Sequence, residues 1–255
     1  PDTDRSRGLG DVYKRQLIKV KYSVLGNIKN KTNFFPFHSF SDTVFMNLDG
    51  GNNKMFEIFF FVNPIGVNCY QNEQEIIAAV SGYNQNISYH FIPITTMNTI
   101  RNDIKARHLS LNNVEVFNTF SQSAYNATKD YHTLKLIVGN KKARQYIINL
   151  QHAINDMNRT YSPELVDEIL NSLDVSIKNF KKNRESNYIK LSMDKDLKLA
   201  DDLNVVTTPT TIIFNYDDDR GDSGMMIEGC ANREEIESAI VGDKQTSSDN
   251  SLRLL

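Results

Sequence analysis

The clearest hydrophobic pattern in the chain begins at Met55. Residues 56–62 read FEIFFFV, nearly all apolar and aromatic, as a strand covered on both faces requires. Asn63-Pro64 ends this run. Cys69, Tyr70, Ile76, Ile77 and Val80 then form a helical stripe closed by Gly82. Asn68 is placed to cap the start of that helix, with Gln71 positioned to return the bond. Ile87, Tyr89 and Phe91 share one face of a second strand over 87–94. Strand, helix, strand in this order predicts a right-handed parallel crossover.

Between residues 98 and 187 no run alternates as a strand does, and helical stripes take over. Tyr146, Leu150, Ile154 and Met157 make one. A second starts at Ser162-Pro163-Glu164, which supplies a cap, a first-turn proline and an acidic first turn. It continues through Leu165, Ile169, Leu173, Ile177 and Phe180. Strand–helix alternation resumes near Tyr188, with Leu197, Ala200 and Leu203 on the inner face of a helix over 190–203. Thr208-Pro209 leads into a β-branched strand over 210–214, and residues 225–228 form its antiparallel mate. Gly229 ends that strand, and Asn232 with Glu235 makes a capping box for a last helix through Ile240. The predicted organisation is two pieces of one α/β domain, 55–96 and 187–242, around a helical insertion at 97–186. Residues 243–255, polar and Ser-rich, are expected to be a flexible tail. Residues 17–54 have neither period and are either read-through sequence or a loosely ordered extension.

Composition narrows the function classes. The 255 residues carry 24% charged positions and a net charge of −2, which offers no basic field for nucleic acid. No apolar stretch approaches the roughly 20 residues of a membrane-spanning helix. No charged-then-apolar leader is found, so export is not expected. The two cysteines, Cys69 and Cys230, make no disulfide framework in a chain of this length, and a reduced, cytoplasmic setting follows. Four Asn-x-Ser/Thr sequons, at Asn30, Asn86, Asn126 and Asn158, and the Arg220-Gly221-Asp222 tripeptide read as chance occurrences. The five histidines (His38, His90, His108, His132 and His152) stand at no ligand spacing to each other or to a cysteine, so no metal site is expected.

Three features stand in one order: an apolar strand delivering Gly66-Val67-Asn68-Cys69 onto a helix start, a helical block, then VVTTPT (205–210) before a closing hairpin. This order resembles the DsbA branch of the thioredoxin superfamily, in which a Cys-x-x-Cys loop faces a cis-proline. The resemblance covers roughly 55–242 and implies a thioredoxin-like fold with an α-helical insertion. Within that branch, FEIFFFVNPIGVNC and VGNKKARQYIINLQHAI are most similar to the bacterial cytoplasmic adaptors of the SpxH type, which deliver the regulator Spx to the ClpXP protease. Some of those proteins carry a His- and Cys-rich leading segment; this chain has none, so metal sensing through it is not implied. Residues 1–16 (PDTDRSRGLGDVYKRQ) resemble translated sequencing-adapter sequence and are set apart from the fold.

The loop limits the chemistry. In the family, the first loop cysteine attacks, its thiolate favoured at a helix start. That position is Gly66 here, and only Cys69 remains, in the place of the resolving thiol. Without an attacker there is no mixed disulfide to resolve. The family's sheet order would put the Cys230 backbone two strand spacings away, roughly 10 Å, beyond the ~7 Å Cα separation a disulfide tolerates, so two free thiols are expected. The resemblance implies a binding groove at Gly66, Cys69, Thr208 and a cis-Pro209. The implied function is a non-catalytic adaptor that binds Spx and promotes its degradation by ClpXP in stress regulation, with no cofactor. The alternatives are a kappa-type glutathione-dependent transferase or isomerase, with Thr208 supplying the hydroxyl to glutathione, and a residual thiol–disulfide oxidoreductase.

Overall fold

The computed structural model describes residues 55–81, 86–215, 223–241 and 252–254. Residues 82–85, 216–222, 242–251 and 255, and everything before Met55, lie outside the described residues.

A five-stranded sheet runs β2-β1-β3-β4-β5, from β1 (Met55–Val62), β2 (Asn86–Pro93), β3 (Thr210–Asn215), β4 (Ser223–Glu228) and β5 (Leu252–Leu254). β1 pairs in parallel with β2 and antiparallel with β3, and β3, β4 and β5 pair antiparallel in turn. β1 is central, so both of its faces must be covered, and its composition answers that demand. Phe56, Ile58, Phe60 and Val62 point into the larger core, and Phe61 into the smaller one behind the sheet. Helix α1 (Val67–Ser81) makes the crossover from β1 to β2.

Five helices follow β2: α2 (Met97–Ala106), α3 (Val114–Val138), α4 (Asn140–Asn155), α5 (Pro163–Ser172) and α6 (Ile177–Arg184). Their apolar faces join the larger core without a break, through Ile100, Leu134, Tyr146, Leu150, Leu165 and Phe180. α7 (Asn187–Asp202) then packs Ala200 behind the sheet against Phe61, Ile212 and Phe214. α8 (Arg233–Val241) returns to the front face with Ile236 and Ile240. The capping box at its start is present: Asn232 N donates to Glu235 Oε2 and Glu235 N to Asn232 Oδ1, both at 2.9 Å.

The helical block is fastened by one buried carboxylate. Asp130 of α3 accepts from Arg184 Nε at 2.6 Å, Tyr146 OH at 2.8 Å and Tyr161 OH at 2.6 Å. Three donors on one fully buried carboxylate replace its lost water shell.

The elements depart from the sequence reading in four places. The stripe starting at Ser162 is two helices, because the chain turns at Asp174 (φ 52°) and Ser176 caps a new helix by accepting the Asn179 amide. A capping side chain that satisfies the next helix's amides competes with helix continuation. Met157, read as the end of the α4 stripe, lies beyond the helix and is 57% exposed. On α1 the buried face is Cys69, Asn72, Glu73, Ile76 and Ala79, while Ile77 is exposed. Finally, the tail expected to be flexible contributes Leu252–Leu254, which pairs along β4 and covers an edge that would otherwise be open.

Candidate functional site

The chain leaves β1 through a tight turn in which Gly66 N donates to Asn63 O at 2.9 Å, and Tyr70 N returns to Gly66 O at 3.0 Å as the first helical bond of α1. The cap expected at Asn68 is absent, since the helix already begins at Val67, two residues earlier than expected. Its first amide is instead taken from outside: Val67 N donates to Asp103 Oδ1 of α2 at 3.0 Å. Asp103 is held by Arg107, one turn on, whose Nε donates to Asp103 Oδ2 at 3.0 Å. Arg107 Nη2 also donates to Ile65 O at 2.6 Å and to Asn155 Oδ1 at 2.8 Å, tying the loop to the end of α4.

Gly66 and Cys69 are adjacent and buried. A Cβ built at Gly66 would lie 3.1 Å from Asn63 Cβ and 3.2 Å from Cys69 Sγ, so the loop is closed around the missing side chain. Cys69 is 2% exposed, and its Sγ accepts the Asn63 amide at 3.3 Å. Burial pushes the thiol up to about 12; the Asn63 amide and the Thr208 hydroxyl favour the thiolate weakly, and the Asp103 carboxylate opposes it. A helix start ordinarily lowers a thiol's pKa because its free amides and dipole attract an anion. Here Asp103 already occupies that position.

The Thr208–Pro209 peptide bond is cis. Pro209 O accepts the Gly229 amide at 2.8 Å, which holds the proline turn against the end of β4. Thr207 Oγ1 accepts from Asn102 Nδ2 at 2.7 Å, so α2 braces this loop as well as the first. Gly66, Asn68, Cys69 and Thr208 line one cavity of about 10 Å³, together with Asn63, Thr99, Asn102 and Asp103. That is room for about one water molecule. Two buried polar groups in its wall, Asn63 Nδ2 and Thr208 Oγ1, have no partner of ordinary hydrogen-bond geometry. Val67 and Pro209 flank this cavity without lining it.

Both cysteines are free thiols. Cys230 is exposed and its Sγ lies 3.7 Å from Asn68 O, so the sulfur reaches the loop although it belongs to the far end of the hairpin. Burial raises its pKa as well. Sequence reading missed Asn63, Asn102, Asp103 and Arg107. Asn63 was visible only as a strand terminator, and the other three meet the loop from about 40 residues away with no local signal.

The thioredoxin family model matches residues 59–238. The chain belongs to the thioredoxin family. Among curated relatives it is similar to the ClpXP adapter protein SpxH of Bacillus subtilis, 23% identical over 225 residues, covering 80% of this chain and 74% of that protein. Among solved structures it resembles a thioredoxin-like oxidoreductase from Silicibacter pomeroyi, with a TM-score of 0.51, 11% identity and coverage of 75% of this chain and 88% of that one. It also resembles the thiol-disulfide exchange protein alpha-DsbA2 from Wolbachia pipientis, with a TM-score of 0.50, 16% identity and coverage of 76% and 84%. The two solved structures share the fold of this chain, a thioredoxin-like sheet with an added helical block. No described helix is long and apolar enough to cross a membrane.

Proposed function

We propose that this protein is a non-catalytic adaptor of the cytoplasm, which binds a Spx-type regulator and promotes its degradation by the ClpXP protease. The observation that carries this reading is the state of the loop. Its one thiol, Cys69, is buried and pushed up to about 12, and the attacking position, Gly66, has no side chain. A thiol protonated at every physiological pH is a poor nucleophile. What a thioredoxin-family scaffold retains without that chemistry is a proline turn and a sheet edge on which another chain can pair. The similarity to SpxH supports the choice of partner.

The kappa-type glutathione reading is less well supported. Thr208 would have to supply the hydroxyl, but it already faces the Cys69 sulfur and opens on only about 10 Å³. The groove proposed for the partner is the outer surface around Gly66, Cys69, Thr208 and Pro209, with Val206 (61% exposed) and Met97 (57% exposed) as apolar contacts on the two segments that flank it. Co-purification with tagged Spx tests the reading: a stable complex at micromolar concentration is expected. Failure of Spx to bind at that concentration would remove it.

A further inference from the structure

Three polar side chains that the proposed binding groove does not use stand in a line between α3 and α7. Ser192 Oγ of α7 lies 2.8 Å from His132 Nδ1 of α3. His132 Nε2 lies 3.5 Å from Asp196 Oδ2, one turn further along α7. His132 and Asp196 are buried, Ser192 is half-buried, and none of the three lines the Cys69 cavity. Residues four apart share one face of a helix, so α7 presents Ser192 and Asp196 side by side and α3 lays a single histidine against both.

The direction of the two contacts follows from charge. Burial raises the Asp196 carboxyl from 3.8 to about 6, while Lys135 of α3, Lys195 of α7 and His90 of β2 face it and favour the ionised form. At neutral pH it is therefore a carboxylate, which only accepts hydrogen bonds. His132 Nε2 must then carry the ring proton, and Nδ1 is left bare to accept from the Ser192 hydroxyl. Burial and the Lys135 charge lower His132 to about 3, so the ring stays neutral. The order hydroxyl, imidazole, carboxylate is the one that activates a serine as a nucleophile, and its contacts are often loose before a substrate binds.

The surroundings set the class of substrate. An imidazole of such low pKa is a weak base. Ser192 stands inside α7, where the amides of its turn are bonded along the helix, so no pair of backbone donors meets an oxyanion. Such a site reacts with an acyl donor whose leaving group departs without a proton, as the aryloxide of an aryl ester does. The half-buried hydroxyl admits a small acyl group. Tyr188 and Leu191, exposed on the same stretch of α7, offer apolar surface to an aromatic leaving group.

We propose that Ser192 is a site of O-acylation by activated esters of small acids, with His132 as its base and Asp196 as a positioning residue. Ser192 Oγ forms a bond to the acyl carbon, the bond from that carbon to the aryl oxygen breaks, and the aryloxide leaves with the electron pair. The hydroxyl proton passes to His132 Nδ1 and from there to water. The site stands whether or not the adaptor reading does.

Incubation of the whole protein with 4-nitrophenyl acetate, followed by peptide mapping, is the direct test. Lysines and Cys230 also accept acetyl groups, so the rate is read from the Ser192 peptide alone. That rate is expected to rise as Asp196 ionises, near pH 6, and then to level off. His132→Gln should slow it about a hundredfold. Asp196→Asn should remove the inflection near pH 6. Circular dichroism establishes that each variant is folded; if either is not, the wild-type pH profile decides. An unmodified Ser192, equal rates in wild type and folded His132→Gln, an inflection that persists in folded Asp196→Asn, or a wild-type rate that climbs with hydroxide without levelling would each overturn the proposal.

Discussion

Asp103 Oδ1 accepts the Val67 amide at 3.0 Å, so the first turn of α1 is capped by a carboxylate from another helix. This contact joins two facts about the loop. A helix start that stabilises a thiolate must keep its amides available to sulfur, and here a carboxylate, 6% exposed and pinned by Arg107, has taken the first of them. The Asp103 charge also acts against ionisation of Cys69. The absence of the first cysteine and the occupation of the helix start point the same way: the loop is built as a structural joint.

Asp103→Ala should therefore cost roughly 2 kcal/mol, from the lost cap and an unpaired Arg107. Chemical denaturation would show it as a lower midpoint. The same variant should leave Cys69 slow to react, because burial contributes more to its raised pKa than Asp103 does.

The two thiols should separate cleanly by reactivity. With a disulfide reagent at mildly alkaline pH, exposed Cys230 is expected to titrate and buried Cys69 to wait for denaturant. Titration of both thiols at similar rates in folded protein would show that the loop opens readily.

Gly66→Cys should restore a disulfide. In an ordinary bridge one Cβ lies about 3 Å from the opposite sulfur, and a Cβ at position 66 would lie 3.2 Å from Cys69 Sγ. Asn63 must yield by a few tenths of an ångström to admit it. Intact mass after mild oxidation should fall by about 2 Da, with the bridge mapped to residues 66 and 69.

Much of this architecture is legible in the sequence, and the exceptions have a common cause. The all-apolar β1, the proline turn at 208–209 and the Asn232–Glu235 box announce themselves because each is a local pattern. Asp103 and Arg107 do not, since a cap supplied across 36 residues leaves no mark at the helix it caps. Glu73 stands outside the apolar stripe read for its helix, yet it is fully buried with both carboxylate oxygens unpartnered. The break at Asp174 is hidden because Leu173 and Ile177 keep the four-residue spacing across it.

Glu73 gives a pH dependence with a definite sign. Burial raises its carboxyl from 4.5 to about 8, with Arg144 pulling the other way. The folded state then holds a proton that the unfolded state has lost, so stability falls as pH rises from 4.5 to about 8. Within that window each pH unit costs up to about 1.4 kcal/mol from this group alone. His132, which burial lowers from 6.5 to about 3, adds a loss in the opposite direction as pH falls below 6.5. Glu73→Gln should flatten the upper decline and leave the acid side unchanged, as read from melting temperature against pH. An unaltered profile in Glu73→Gln would contradict this assignment.

The central claim is that the protein acts by holding another chain, without sulfur chemistry. The most direct measurement is the rate at which ClpXP degrades Spx with wild-type protein and with Cys69→Ala, compared with no addition. The account predicts equal acceleration by both. Acceleration that disappears with Cys69→Ala while the variant stays folded, or no acceleration by either protein, would contradict it.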